Sequence, residues 1–267
     1  MKIKRKQPKA RLMPNPTIII AGTPTWEADL RQQLPETYHL ITYTVPANYV
    51  TRLADDHAAL VLVDGDADGW RFYTTTPKTS SATRRIPILL IAEDDEARGT
   101  ALGAGADLAL TPAELLAQLP ALLADYARVL DSATAEQLDC ECQEALPPLA
   151  AQAVEKFNAR EFYPQHDLFE EQWMHTTGPV RDLYRAVLQV GIAYYQIERG
   201  NHRGSLKMLL RSVQWFALLP DVCQGIDVRQ LREDSTAVRA ALEKLDAADI
   251  DQFDMALLKP VRLVGKS

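Results

Sequence analysis

Two unbroken apolar runs in the first half of the chain constrain the fold more than any other feature. Residues 58–63 read AALVLV and residues 86–92 read IPILLIA, and acidic residues follow each run. A strand that is apolar at every position suits a parallel sheet covered on both faces, because a half-exposed strand would alternate. Shorter runs at 17–21 and 40–45 supply two more strands, with helical patterns at 27–34, 94–104 and 112–130. The sequence therefore predicts an α/β domain with a doubly wound parallel sheet.

The second half of the chain predicts a separate all-α domain. A helix should begin near Pro179 and bury one apolar row, which consists of Leu183, Val187, Val190, Tyr194 and Ile197. Gly200 can end it and Asn201 can cap the next helix. The fold class is α/β plus all-α, with an N-terminal doubly wound sheet followed by a C-terminal helical bundle. We expect these segments: a basic disordered tail 1–16, the α/β domain 17–130, a connecting helix or linker 131–147, the bundle 148–258 and a tail 259–267. A polar loop is expected at 70–85.

Charge and cysteine content limit the classes of partner and compartment. The 267 residues carry a net charge of −7, which argues against general nucleic-acid binding except through the basic tail, whose charged residues are Lys2, Lys4, Arg5, Lys6, Lys9 and Arg11. No run is long and apolar enough for a signal peptide or a membrane span. We expect no membrane association and a cytoplasmic location. Cys140, Cys142 and Cys223 are an odd number and are expected to be reduced thiols.

The motifs LVLVDGDADG and IPILLIAEDDEARGTALGAGADLAL resemble those of a response-regulator receiver domain. The resemblance covers roughly 17–130 and implies that Asp64 stands at the phosphoacceptor position. The other groups of that chemistry are replaced: the acidic pair after the first strand by Ala21-Gly22-Thr23, the hydroxyl after the fourth by Ala92, and the lysine after the fifth by Thr111-Pro112. Without metal ligands or a cation, we interpret Asp64 as a vestigial phosphoacceptor.

The segment 157–204 combines polar side chains with apolar helical faces. Phe162, His166, Phe169 and Trp173 share one predicted stripe, and Glu170 lies one turn after His166. An imidazole and a carboxylate are therefore expected to point inward together. On the next helix a polar row of Arg185, Gln189 and Gln196 runs beside the apolar one. Arg185 is expected to pair with Glu170.

These motifs, FNxxxF, HxxxExxW and LQ…AYY…ERGNxRG, resemble the domain of unknown function 309 family over roughly 149–234. The family is sometimes labelled a predicted metal-dependent hydrolase, and the resemblance implies a helical bundle. The positions that match the family are His166, Glu170, Trp173, Gln189, Tyr195, Asn201 and Gly204. Asp167, Arg185 and Gln196 replace the Glu, Gln and His that are usual in the family.

Three interpretations of the polar cluster stay open. The first is a structural cluster, the second is a pocket for a small molecule or anion that uses Arg185, and the third is metal-dependent catalysis by His166 and Glu170. The candidate pocket comprises His166, Glu170, Trp173, Arg185, Gln189, Tyr195 and Gln196. Two ligands are fewer than the three usual in catalytic zinc sites, so no cofactor is expected, with zinc, manganese or iron as the alternative. The sequence favours a non-catalytic regulatory or scaffold protein over a metal-dependent hydrolase. A protein partner, a small ligand and a homodimer stay open.

Overall fold

The computed structural model describes residues 15–265, and its first part is built on a five-stranded sheet in which every strand is parallel. The strand order is β2-β1-β3-β4-β5. The strands are β1 (Thr17–Ala21), β2 (His39–Tyr43), β3 (Ala58–Asp64), β4 (Ile88–Ile91) and β5 (Leu108–Leu110). The helices that alternate with them are α1 (Glu27–Gln33), α2 (Tyr49–Asp55), α3 (Trp70–Thr79), α4 (Asp95–Ala101) and α5 (Pro112–Tyr126). The predicted parallel α/β arrangement is confirmed.

Both faces of this sheet are covered, which explains the unbroken apolar strands. Ile19 and Val61 face one core with Leu53 of α2 and residues of α4. Ile18 and Leu60 face a second core with residues of α1 and α5. Successive side chains of a strand point to opposite faces, so each strand feeds both cores. The sheet is therefore doubly wound.

The predicted loop at 70–85 is wrong over its first ten residues, because α3 occupies 70–79. Pro77 lies inside this helix and removes one backbone donor, which leaves the carbonyl of Tyr73 without its usual partner. The Tyr49 hydroxyl donates to that carbonyl at 3.2 Å. Thr74 and Thr75 both donate to the carbonyl of Arg71. Tertiary packing and these local bonds hold a helix that the composition disfavours.

A helix occupies 132–142 of the segment expected to connect the two parts, and it does not continue α5, because the chain is not helical at 127–131. The next helix is α6 (Ser132–Cys142), which starts after Asp131 caps it through the amide of Thr134. Before it, the amide of Arg128 donates to the carbonyl of Ala59 at 2.9 Å. The segment 127–131 therefore passes next to the start of β3.

The second part is helical and centred on the most buried helix, α9. Its elements are α7 (Pro148–Asn158), α8 (Phe162–His175), α9 (Arg181–Glu198), α10 (His202–Phe216), the strands β6 (Val222–Cys223) and β7 (Ile226–Asp227), and α11 (Val228–Glu243). Two 3-10 turns follow, Ala247–Gln252 and Met255–Leu257. The predicted apolar row of α9 is buried throughout. Gly200 has φ +70 and the Asn201 side chain accepts from the amide of Gly204, as predicted.

The cysteine prediction is wrong, since Cys142 and Cys223 form a disulfide and Cys140 is exposed and free. The bond ties the end of α6 to β6, and the amide of Gln224 donates to the carbonyl of Cys142 beside it. The two cysteines are 81 residues apart, so their spacing gave no sign of the pairing.

The C-terminal residues pack onto the helices where a tail was expected. Val261 is buried, and its amide donates to the Asn158 side chain at 2.8 Å. Of the predicted basic tail, residues 1–14 lie outside the described residues. Within 15–265, no helix is long and apolar enough to cross a membrane.

The helical part packs against the end of the sheet at which the strands begin. Gln214 of α10 donates to the carbonyl of Ser81 at 3.0 Å. Arg239 of α11 pairs with Asp55 at the end of α2 at 2.6 Å. A cavity of about 430 Å³ lies between the two parts, and its lining includes Thr17, His39 and Ala58 from the strand starts.

Candidate functional site

The inward polar residue of α8 is Gln165, not His166. Gln165 is fully buried with Phe162 and Phe169, whereas the His166 side chain is 27% exposed. A helix turns about 100° per residue, which places His166 about 40° from Phe162 on one side and Gln165 about 60° on the other. Phe169 lies on the Gln165 side, so the buried arc is centred there. The prediction that the His166 imidazole faces the core is therefore wrong, and the polar group that does so is the Gln165 amide.

His166 contacts its neighbours on the helix surface. Its Nδ1 lies 3.1 Å from the Asp167 carboxylate, and its ring stacks on Tyr163 with centroids 6.1 Å apart. Glu170 is half-buried on the same flank of the helix. These two residues come from one helix and lie beside its buried face, not within it.

The residues of the metal alternative do not gather a ligand set. Across 15–265, no three His, Cys, Asp or Glu side chains come together in a way that could hold a metal ion. His202 is turned to the carbonyl of Leu242, 2.8 Å from its Nε2, and His175 is exposed at the end of α8. Among the described residues His166 and Glu170 thus supply at most two ligands, whereas a catalytic zinc site usually has three protein ligands.

Arg185 pairs with Asp182, and the predicted pair with Glu170 is wrong. The Arg185 Nη1 lies 3.0 Å from the Asp182 carboxylate, one turn earlier on α9. The guanidinium also lies between two indoles, 4.4 Å from the centroid of Trp173 and 4.5 Å from that of Trp215. Trp173 is only partly buried and so serves as a cation–π partner at the edge of the core.

The other predicted pocket residues spread along α9. Gln189 is buried, and its Oε1 has no hydrogen-bond partner among the described residues. Tyr195 lies against the Tyr163 ring, with centroids 5.7 Å apart. Gln196 accepts from the Asn201 side chain at 2.8 Å and thereby braces the turn to α10. The candidate residues do not converge on one pocket.

Asp64 is the last residue of β3, and it is almost completely buried. It is 7% exposed, and its carboxylate accepts from the amide of Asp66 at 3.3 Å. Burial raises the pKa of Asp64, while backbone donors such as the amide of Asp66 oppose the shift. Gly22 has φ +121, and a Cβ there would lie 2.5 Å from the Asp64 Cβ. The chain after β1 therefore passes too close to Asp64 to carry a side chain at position 22.

Residues that follow β3, β4 and β5 have structural roles. Ala92 is fully buried behind β4. Thr111 caps α5 in a reciprocal capping box with Glu114. Asp66 accepts from the amides of Glu93 and Asp94, each at 3.0 Å, and so fixes the loop after β4.

Sequence patterns did not predict a group of arginines around Arg185. Arg181 lies over the Trp173 ring at 5.4 Å, and Arg85 lies over Trp215 at 4.8 Å. Arg85 belongs to the loop before β4, whereas Arg181 and Arg185 belong to α9. Arg181 and Arg185 are one turn apart on α9, but no local spacing connects them to Arg85, which only the tertiary structure brings close.

Comparison with known proteins finds a family match within the helical part and a similar uncharacterized protein. Residues 150–208 match the model of a family described as "Domain of unknown function (DUF309)". A stretch of 85 residues is 25% identical to an uncharacterized protein of Aquifex aeolicus (strain VF5). That match covers 32% of this chain and 26% of the relative, so the chain spans about a quarter of the relative's length. The family match runs from α7 into α10 and therefore includes α8 and α9.

Proposed function

We propose that this protein is a non-catalytic regulatory or scaffold protein. Its α/β domain is a receiver-like domain that does not accept a phosphoryl group, and its helical domain binds a ligand or partner. The observation that carries the proposal is the packing around Asp64. Gly22 closes on the carboxylate from one side, and the positions that would need a metal ligand, a hydroxyl and a lysine hold Gly22, Ala92 and Thr111.

Phosphoryl transfer depends on cations that offset the negative charge of the transferred group. The charged group that acts on Asp64 through space is Asp66, which raises the pKa of Asp64 further. A second carboxylate beside the nucleophile repels an incoming phosphoryl group unless a metal ion offsets its charge. Asp66 is itself committed to the amides of the loop after β4. The local electrostatics therefore oppose phosphorylation.

The helical domain supports the binding half of the proposal through Arg185. Its side chain is 17% exposed and is held by Asp182 and two indoles, so its position is fixed in advance. A preorganised guanidinium loses little conformational entropy when it binds an anion.

Incubation with acetyl phosphate and magnesium tests the α/β half. We expect the intact mass to stay unchanged, with an active receiver domain in the same buffer as positive control. A labile phosphoryl adduct that disappears in Asp64→Asn would overturn the proposal.

Metal analysis tests the non-catalytic half. Protein purified without chelators should contain no stoichiometric zinc, manganese or iron. Stoichiometric metal that is lost in His166→Ala, but retained in the exposed control His175→Ala, would favour the hydrolase and defeat the scaffold interpretation.

A further inference from the structure

Six arginines converge where the α/β domain meets the helical domain. They are Arg84 and Arg85 before β4, Arg128 after α5, Arg181 and Arg185 on α9, and Arg211 on α10. Two indoles connect three of them: Trp173 contacts Arg181 and Arg185, and Trp215 contacts Arg185 and Arg85. Arg85 acts electrostatically on Arg128, Arg185 and Arg211, and Arg84 acts on Arg211. We call these six residues the arginine cluster.

The cluster carries far more positive than negative charge. Across residues 15–265, Asp182 is the one carboxylate that forms an ion pair with any of the six. It lies 3.0 Å from Arg185 and also attracts Arg128. Guanidiniums stay protonated in proteins, so the excess charge cannot be removed by loss of protons.

Partial burial strengthens the repulsion at Arg128, Arg185 and Arg211, whereas Arg84 and Arg85 are exposed at the rim of the cluster. Burial, followed by neighbouring arginines, lowers the pKa of Arg128 and Arg211. The pKa of Arg185 is also lowered, first by burial and despite the attraction of Asp182. Like charges held together in a region of low dielectric constant destabilise the fold unless an anion joins them.

Three buried N–H groups, two from arginines of the cluster and one from an indole that contacts it, also lack hydrogen-bond acceptors. The Nε groups of Arg181 and Arg211 and the Nε1 of Trp173 are buried without a hydrogen-bond partner among the described residues. Buried N–H groups are almost always hydrogen-bonded. An anion with several oxygens would supply the missing acceptors and the missing charge together.

We propose that the arginine cluster binds a small molecule that bears phosphate groups. This inference deepens the proposed binding function and rests on it. Guanidinium forks match phosphate oxygens in pairs, and several forks favour a multiply charged group over a single carboxylate. Arg128 also lines the cavity of about 430 Å³ between the two domains, which has room for an organic part of the ligand.

The position of the cluster gives binding a structural consequence. Arg84, Arg85 and Arg128 belong to the α/β side, whereas Arg181, Arg185 and Arg211 belong to the helices. A phosphate group shared between both sets joins the two domains by charge-assisted hydrogen bonds. Binding should therefore raise the thermal stability of the whole chain.

Calorimetry of the full chain with sodium pyrophosphate and with sodium phosphate, at constant ionic strength, tests the proposal. We expect saturable binding, tighter for pyrophosphate, and a concentration-dependent rise in melting temperature. Arg85→Gln and Arg211→Gln should each weaken binding by about tenfold or more, the usual effect of losing a hydrogen bond to a charged group. Arg229→Gln is the matched control, because Arg229 is an exposed arginine of α11 outside the cluster.

Without ligand, Arg211→Gln should melt at the same or a higher temperature, because it removes a repulsive charge. That result shows that the variant folds and makes its binding data interpretable. Absence of saturable binding by either anion to the wild type would overturn the proposal, as would an equal loss of affinity in Arg229→Gln. Tight binding of an oligonucleotide but not of pyrophosphate would also overturn it. The acetyl phosphate test reports on Asp64 alone, so it can fail or succeed independently.

Discussion

Gly191→Ala probes the closest approach between α8 and α9. A Cβ at position 191 would lie 2.2 Å from Nε2 and 2.6 Å from Cδ of Gln165. Gln165 cannot easily move aside, because it is fully buried and its amide donates to the carbonyl of Phe162 at 2.9 Å. The substitution therefore has to displace the amide or separate the helices.

The expected cost follows from three contributions. Overpacking a core costs about 1–3 kcal/mol. Losing the Gln165 hydrogen bond costs about 1 kcal/mol more. Alanine in place of glycine inside a helix returns about 1 kcal/mol. We expect Gly191→Ala to lower the free energy of unfolding by about 1–3 kcal/mol.

Urea unfolding followed by tryptophan fluorescence measures this change. Gly99→Ala in α4 is the matched control, since a Cβ there meets nothing within 4 Å, and it should stabilise by up to about 1 kcal/mol. Adding Gln165→Ala to Gly191→Ala removes the clashing atoms, so the double variant should cost less than the sum of the two single ones. If Gly191→Ala stabilises as Gly99→Ala does, the helices do not pack this closely and the assignment of Gln165 to the interface is wrong.

Three further predictions concern other parts of the fold. Reducing the Cys142–Cys223 bond should lower the free energy of unfolding by about 2–5 kcal/mol, because a loop of 81 residues is no longer closed in the unfolded chain. Coincident urea curves with and without reductant would contradict this. Asp64→Asn should stabilise the protein at neutral pH, because a raised pKa in the folded state means that the carboxylate form opposes folding. That advantage should shrink as the pH falls through the raised pKa, and a difference independent of pH would refute the buried charge as its cause. Thr111→Ala removes the cap of α5 and should cost about 1 kcal/mol, whereas an unchanged melting temperature would argue against the capping box.

Hydrophobic periodicity predicted the parallel sheet and the buried row of α9, because both depend on patterns within one segment. It failed for α8, where His166 lies only about 40° from Phe162, a margin that periodicity alone does not resolve. In the helix at 70–79, the Tyr49 hydroxyl, which comes from another element, donates to the carbonyl that Pro77 leaves without its usual partner. The same limit applies to the disulfide and to the arginine cluster, whose arginines come from four separate segments that meet only in the folded chain.

Because the helical part packs where the strands begin, the region around Asp64 and the arginine cluster lie at opposite ends of the sheet. Asp64 lies where β3 ends, whereas Arg128 reaches the other end of the same strand through Ala59. A strand of seven residues is about 23 Å long, so a macromolecule that touches the Asp64 edge need not exclude anything seated among the arginines. The chain can therefore bind two molecules at the same time, one at each end of the sheet.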